Sequence, residues 1–170
     1  TGLLGEALPV KVSYNISCFR HERPQAGRLR EFHQFGIECF GSPSPSAAAE
    51  VIGVGQDIFD RLGLGGVALR SNSLGCPNCR PKYNETLVSY YRQREQELCP
   101  LCQERLEKNP LRLLDCKNER CAELAKQAPV ILDYLCEECA THFGGLQKRL
   151  QAVNIHFVVD PYIVRGLDYY

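Results

Sequence analysis

The sequence predicts an α+β fold, in which an antiparallel sheet with flanking helices carries a mainly helical, cysteine-rich insert. Alternation of apolar and polar residues at 10–20 and 32–40 predicts the sheet, and strand character returns at 155–159. The cysteines predict the insert, because eight of the ten in the chain lie between positions 76 and 139. We therefore expect a core in two parts with one insert between them, at residues 1–75, 151–170 and 76–150 respectively.

The first part of the core opens with a predicted hairpin. Residues 10–20 are rich in β-branched and aromatic types, which favour strands. The polar stretch that follows contains Pro24 and Gly27, both of which are turn formers. Phe32 and Phe40 then bound a second strand-like segment.

A helix and a short strand follow the hairpin. Residues 47–62 place apolar side chains at helical spacing, and the glycine-rich residues 63–66 end that pattern. Residues 67–72 are predicted to form a short strand.

The insert and the second part of the core come next. Helical spacing predicts helices in the insert at residues 83–98, 102–108 and 132–153. Strands are expected on either side of an Asp160-Pro161 turn, at residues 155–159 and 163–170.

Composition excludes several classes of protein. Hydrophobic residues make up 44% and charged residues 24%, which is typical of a folded globular protein and unlike a disordered chain. Lys plus Arg equals Asp plus Glu at 20 each, so any contact with RNA must depend on a local patch. No stretch approaches the roughly 20 apolar residues of a membrane-spanning helix, and we expect a cytoplasmic protein without a membrane partner.

The cysteines form four closely spaced pairs, which are typical of zinc sites because two such turns supply four thiolates to one tetrahedral ion. The first two pairs are separated by 19 residues, near the spacing of zinc ribbons, and predict one site at Cys76, Cys79, Cys99 and Cys102. A second site is predicted at Cys116, Cys121, Cys136 and Cys139. With four thiolate ligands each ion would be structural, so one or two structural Zn²⁺ ions are expected. Disulfides, unliganded buried thiols and a redox Cys-x-x-Cys are the alternatives, and a reducing cytosol disfavours the first of them.

The mouth of the predicted hairpin carries Arg20, Glu22, Arg28 and Phe32. Such a set can bind a nucleoside triphosphate, because arginine offers a fork of donors to phosphate oxygens and an aromatic ring offers a stacking face. Spacing alone favours the other interpretation, in which these charges are solvated loop residues.

These residues belong to longer motifs that resemble a known family. Residues 19–25, 27–28 and 32–41, which read FRHERPQ, GR and FHQFGIECFG, resemble motif 2 of class II aminoacyl-tRNA synthetases in its histidine-specific form. Residues 164–170, VRGLDYY, resemble the signature strand of histidyl-tRNA synthetases. Residues 109–115 and 132–135 resemble the family's insertion region. The resemblance implies a class II synthetase-like antiparallel sheet, with residues 1–75 and 151–170 as two parts of one catalytic core.

The resemblance also implies roles for individual residues. Arg20 would bind the α-phosphate of ATP, Glu22 would face the adenine amine, Arg28 would reach the outer phosphates, and Phe32 would stack on adenine. ATP would act together with Mg²⁺. Arg165 would neutralise charge at the α-phosphate, which makes Arg165 and Arg20 the catalytic residues.

The substrate histidine would be bound by Gln34, Glu38, Arg165, Tyr169 and Tyr170, with Gln34 and Glu38 at its amino group and Tyr170 near its imidazole. The implied reaction activates histidine and transfers it to the acceptor stem of tRNA(His). The full-length parent is expected to be a homodimer.

Two alternatives to this enzyme remain open at the level of sequence. The first is the non-catalytic, synthetase-like regulatory subunit of ATP phosphoribosyltransferase in histidine biosynthesis. The second is a zinc-binding RNA-contact module with a basic face at Arg80, Lys82, Arg92 and Arg94, although neighbouring glutamates dilute that face. Motifs 1 and 3 of the family are not present, so we expect the chain to be part of a longer protein and to be inactive without them.

Overall fold

The computed structural model describes residues 2–5, 7–21 and 23–165, and the chain divides into two units, Thr1–Gly63 and Leu64–Tyr170. The α+β class is confirmed, because each unit combines strands with helices.

The first unit contains the predicted hairpin. Strand β1 (Val10–Phe19) pairs with β2 (Glu31–Phe40) in antiparallel register, from Val10 opposite Phe40 to Phe19 opposite Glu31. A 3-10 helix at Gly2–Gly5 precedes β1. Near the end of the hairpin the backbones of Gln25 and Arg28 exchange hydrogen bonds of 3.1 and 2.8 Å, and Gly27 between them has a φ of +73°, which glycine adopts without strain.

Helix α1 (Pro45–Arg61) completes this unit. The Ser44 hydroxyl accepts a hydrogen bond from the Ser46 amide and caps its first turn, where Pro45 needs no donor partner. The chain leaves the helix through Gly63 at a φ of +70°. Lys11 on β1 donates to Glu50 on α1 at 2.6 Å, which ties the helix to the hairpin.

The hydrophobic core lies in the second unit. Three helices contribute to it, α2 (Arg80–Arg92), α3 (Pro100–Lys108) and α4 (Glu119–Ala125), and a fourth helix, α5 (Glu137–Ala152), follows them in the chain. Short 3-10 helices lie at Glu95–Glu97, Pro110–Leu113 and Ile131–Tyr134. Tyr83, Leu87 and Tyr91 on one face of α2 are fully buried, and Cys102 and Cys121 are buried in the same cluster.

Two short strands in the second unit join segments that are far apart in the sequence. Strand β3 (Leu69–Ser71) pairs in parallel with β4 (Phe157–Val159). The predicted strands at 67–72 and 155–159 therefore lie side by side, although the whole cysteine-rich stretch separates them in the chain.

Several predicted boundaries were wrong. The first insert helix starts at Arg80 because Pro81 favours a first helical turn, and it ends at Arg92. The helix predicted from residue 132 starts at Glu137, because Leu135 is extended at a ψ of 136°. Helix α4 was not predicted, although Asn118 caps it by accepting from the Cys121 amide.

The strand predicted at 163–170 is not seen in its described residues, 163–165, and residues 166–170 lie outside the described part of the chain. The carbonyls of Pro161 and Ile163 instead accept hydrogen bonds from the Asn72 side chain. Within the described ranges, no helix has both the length and the apolar character needed to cross a bilayer.

Candidate functional site

The eight paired cysteines form two clusters. Within each cluster the four Sγ atoms lie within 4.8 Å of one another, in the groups Cys76, Cys79, Cys136, Cys139 and Cys99, Cys102, Cys116, Cys121. The first pair in the sequence therefore joins the fourth, and the second pair joins the third. By their order in the sequence, we call the group with Cys76 and Cys139 the outer cluster and the group with Cys99 and Cys121 the inner cluster.

The predicted grouping of the cysteines was wrong. It joined the pairs in chain order, as Cys76, Cys79, Cys99 and Cys102 and as Cys116, Cys121, Cys136 and Cys139. Helix α2 explains the difference, because its 13 residues span about 20 Å and carry the chain from one pair to the next. The first two pairs thus lie beyond opposite ends of a helix, where they cannot share one ion.

The spacing of the sulfur atoms fits a tetrahedral zinc ion. Sulfur atoms bound to zinc at about 2.3 Å in a tetrahedron are about 3.8 Å apart. The observed separations are 3.5 Å for Cys76–Cys79, 3.8 Å for Cys76–Cys136 and 3.9 Å for Cys99–Cys116. All eight thiols are free, so disulfides do not account for the clusters.

Helix N-termini position the three Cys-x-x-Cys pairs. Cys79 immediately precedes α2, and Cys99 and Cys136 are the N-caps of α3 and α5. Backbone amides donate to thiol sulfurs in both clusters, from Cys136 to Cys79 at 3.1 Å and from Cys99 to Cys121 at 3.3 Å. The partial positive charge of a helix N-terminus favours the thiolate form that binds metal.

The thiols within each cluster differ in acidity. Hydrogen bonds from the backbone of Cys76 and Cys136 lower the pKa of Cys79 to about 6. Burial raises the pKa of Cys102 and that of Cys121, and it raises the pKa of Cys139 to about 12. Without a positive ion the four thiols of a cluster therefore do not ionise together, whereas a bound divalent metal deprotonates its thiol ligands.

The hairpin brings together two of the predicted nucleotide-binding residues. The guanidinium carbon of Arg20 lies 4.1 Å from the centre of the Phe32 ring. Its Nε donates to the Leu29 carbonyl at 2.8 Å, which fixes the plane of the guanidinium. Arg28 follows in the turn at the end of the hairpin, and Glu22 lies outside the described residues.

Gln34 belongs to a small polar network on one face of the hairpin. Its Nε2 donates to the Tyr14 hydroxyl at 3.0 Å, and its Oε1 accepts a weak hydrogen bond from the Cys18 thiol at 3.8 Å. The Tyr14 ring lies over Gly36, its partner in the strand register. We did not predict a role for Tyr14, although a glycine opposite an aromatic residue in a strand pair indicates a close approach.

Glu38 lies two residues beyond Gly36 on the same face of the strand. It lines a cavity of about 250 Å³ together with Lys11, Glu50 and Val51. The cavity lies between the hairpin and α1, within the first unit.

Gly36→Ala is expected to lower the free energy of unfolding of the full-length protein by roughly 1–3 kcal/mol. The added Cβ would lie 2.1 Å from Cζ of Tyr14, so the ring must move and its hydrogen bond with Gln34 must break. Denaturant unfolding measures the change. Gly55→Ala is the matched control, because no atom lies within 4 Å of its added Cβ and alanine favours the helix by about 1 kcal/mol. Equal stability changes in the two variants would contradict the role of Gly36.

Arg165 lies in the second unit, whereas Arg20 lies in the first. Arg165 is exposed and lines a cavity of about 30 Å³ with Asn72, Arg80 and Tyr83 among its other walls. Tyr169 and Tyr170 lie outside the described residues.

Two of the four residues in the predicted basic face for RNA, Arg92 and Arg94, make contacts within the insert. Arg92 forms a salt bridge with Glu107 at 2.8 Å. The guanidinium of Arg94 stacks on the ring of Tyr90 at 4.0 Å and donates to the Tyr90 carbonyl. These contacts leave little support for a separate RNA-contact module.

Residues 2–167 match the family described as tRNA synthetase class II core domain (G, H, P, S and T). The chain is 52% identical to a histidine–tRNA ligase of Clostridium novyi (strain NT) over 99% of its own length and 41% of the relative's. It is 54% identical to a histidine–tRNA ligase of Desulforudis audaxviator (strain MP104C), again over 99% of this chain and 40% of the relative.

Among solved structures, the chain resembles apo histidyl-tRNA synthetase of S. aureus. The TM-score is 0.73 at 34% identity, over 99% of this chain and 38% of that chain. The resemblance to histidyl-tRNA synthetases drawn from the two motifs is thereby confirmed. The chain spans about two fifths of the length of the curated relatives it matches.

Proposed function

Because the chain belongs to the family of class II tRNA synthetase core domains, we propose that the full-length protein is a histidine–tRNA ligase. It would activate histidine with ATP and transfer it to tRNA(His). The proposal depends on one observation: over 99% of its length, the chain is 52% and 54% identical in sequence to relatives named histidine–tRNA ligase. Those names support the enzyme over a regulatory subunit of ATP phosphoribosyltransferase.

Arg20 and Phe32 would form the nucleotide side of the site. Stacking on Phe32 and the bond to the Leu29 carbonyl hold the Arg20 guanidinium at the base of the hairpin loop. There its Nη atoms can donate to the α-phosphate of ATP, while Arg28 reaches the outer phosphates and Phe32 stacks on adenine. Glu22 would accept from the adenine amine.

Gln34 and Glu38 would bind the amino group of the substrate histidine. The Tyr14 hydroxyl accepts a hydrogen bond from Nε2 of Gln34, which orients the amide. Its Oε1 accepts only a weak bond from the Cys18 thiol and can also accept from an ammonium group. Glu38 adds a negative charge on the same face. Tyr169 and Tyr170 complete the proposed histidine pocket near the imidazole ring.

The proposed chemistry is attack of the histidine carboxylate on the α-phosphorus, with pyrophosphate as the leaving group. A new carboxylate oxygen to phosphorus bond forms as the bond to the pyrophosphate oxygen breaks. Arg165 and Arg20 would stabilise the negative charge that develops on the α-phosphate oxygens. The side chains hold the two substrates in line and form no covalent bond to them. Mg²⁺ accompanies ATP and, when bound, would neutralise charge on its outer phosphates.

Two structural zinc ions are part of the proposal, one in the outer and one in the inner cluster. Four thiolates would fill each tetrahedral shell and leave no position open for water or substrate. The ions would therefore hold the insert together and take no part in the reaction. Further proposals that follow from the family are a cytoplasmic location, a homodimer, and contact with the acceptor stem of tRNA(His).

Histidine-dependent exchange of pyrophosphate into ATP by the full-length protein tests the proposed function. We expect exchange that requires histidine and that other amino acids do not support, because Gln34 and Glu38 recognise any α-amino group while the rest of the pocket selects imidazole. A regulatory subunit would give no exchange under the same conditions. Exchange supported equally by several amino acids would contradict histidine specificity.

A further inference from the structure

The segment between β4 and Arg165 crosses the second unit without forming a strand. Its start is fixed by Asp160, whose amide donates to the Ser71 carbonyl at 2.9 Å and whose carboxylate binds Arg70 at 3.1 Å. The Ile163 amide returns to the Asp160 carbonyl at 3.2 Å. The conformation of this segment determines where the side chain of Arg165 emerges.

The Asn72 side chain holds the middle of this segment. Its Nδ2 donates to the carbonyls of Pro161 and Ile163, both at 3.0 Å. Its Oδ1 accepts from the Ser73 amide at 2.9 Å, which fixes the plane of the amide. One side chain therefore satisfies two carbonyls spaced two residues apart, and the second of them lies only two residues before Arg165.

The insert supports the same segment from the other side. The Tyr162 hydroxyl donates to the Lys126 carbonyl at 2.8 Å, just beyond α4. Tyr162 and Val164 also pack against the buried core of the insert. Asn72 and Arg165 line a common cavity with Arg80 and Tyr83 of α2, so the segment lies between β3 and the insert.

We propose that Asn72 is a positioning residue for Arg165, and that the insert, through Tyr162, fixes the same segment from its opposite side. The proposal rests on the proposed catalytic role of Arg165. Hydrogen bonds to backbone carbonyls fix the path of the chain, and the path of the chain fixes the reach of the guanidinium. A displacement of about 1 Å in a catalytic group can slow a reaction by about a hundredfold.

Asn72→Ala in the full-length protein is expected to lower kcat for histidine-dependent pyrophosphate exchange by about 10- to 100-fold, with little change in KM for ATP. Asn72→Asp should behave alike, because it keeps the acceptor for the Ser73 amide and removes both donors. Hydrogen exchange of residues 160–165 should increase in both variants. Ser44→Ala is the control, since it likewise removes bonding between a side chain and the backbone, here a single bond at the start of α1, and should leave kcat unchanged.

A double-mutant cycle with Arg165→Ala distinguishes positioning from a general loss of structure. If Asn72 acts through Arg165, Asn72→Ala has less than about a twofold further effect in the Arg165→Ala background. The same loss in both backgrounds, or an unchanged kcat in Asn72→Ala, would overturn the proposal. Tyr162→Phe provides a second variant should Asn72→Ala fold poorly, and a several-fold loss of kcat that also vanishes in the Arg165→Ala background is expected.

The single Arg165→Ala variant separates this proposal from the proposed function. If it lowers exchange while Asn72→Ala does not, only the positioning role fails. If Arg165→Ala leaves exchange unchanged, the catalytic role of Arg165 fails and the positioning role fails with it.

Discussion

Arg165→Ala in the full-length protein is expected to lower the rate of histidyl-adenylate formation by about a hundredfold or more. Loss of one preorganised charge or donor at developing negative charge typically costs this much. Arg165 is exposed and belongs to no part of the buried core, so its loss should change folding little. Single-turnover measurement of adenylate formation, at saturating ATP and histidine, gives the rate of the chemical step.

Two further variants sharpen this measurement. Arg165→Lys keeps the charge but loses the planar fork of donors, so it should recover only part of the rate. Arg61→Ala removes another exposed arginine, whose pair with Asp57 on α1 is worth little in water, and should leave the rate unchanged. An undiminished rate in Arg165→Ala would refute the catalytic role.

Removal of zinc from the full-length protein is expected to unfold residues 76–139 while the hairpin stays folded. Structural zinc contributes about 10–16 kcal/mol of apparent binding free energy, which exceeds the stability of a typical domain. Cys102 and Cys121, two of the proposed ligands, are fully buried within the core of the insert, so loss of a bound ion would leave that core without a cross-link. Hydrogen exchange with and without a strong chelator measures the effect, with the peptides of β1 and β2 as the internal control.

The metal content of paired serine variants tests which cysteines share an ion. The double variant Cys76→Ser with Cys136→Ser removes two cysteines of the outer cluster only. One of the two proposed zinc ions per chain should therefore remain. The double variant Cys76→Ser with Cys99→Ser damages both clusters and should retain neither ion. Pairing in chain order predicts the opposite results for these two variants, and metal-free wild-type protein would refute the zinc proposal altogether.

The sequence was most informative where the physical signal is local. Alternation with period two predicted the hairpin to within one residue at the ends of both strands, because the pattern reports the two faces of a strand directly. Cys-x-x-Cys spacing likewise identified the metal-binding candidates. Which pairs combine depends on the path of α2 and of the segment from Cys121 to Cys136, and spacing along the chain does not encode that path.

The candidate site was predictable only in part for the same reason. Arg20, Phe32 and Gln34 could be proposed from sequence because they belong to a short motif on and beside two adjacent strands. Tyr14 and Asn72 were not proposed, since each forms its hydrogen bonds with a partner that is distant in sequence, at 20 residues and at about 90 residues respectively. An asparagine after a short strand is indistinguishable, by sequence alone, from an ordinary turn residue.

In the sequence, the cysteines of the inner cluster lie between the two pairs of the outer cluster, and this order has a consequence for biosynthesis. The cysteines of the inner cluster span positions 99 to 121, whereas those of the outer cluster span 76 to 139. A ribosome therefore releases a complete inner set while Cys136 and Cys139 are still inside its exit tunnel. Closing the smaller loop first also shortens the flexible chain that the outer set must then close, which lowers the entropic cost of that second step. Metal loading during translation should thus proceed from the centre of the insert outward.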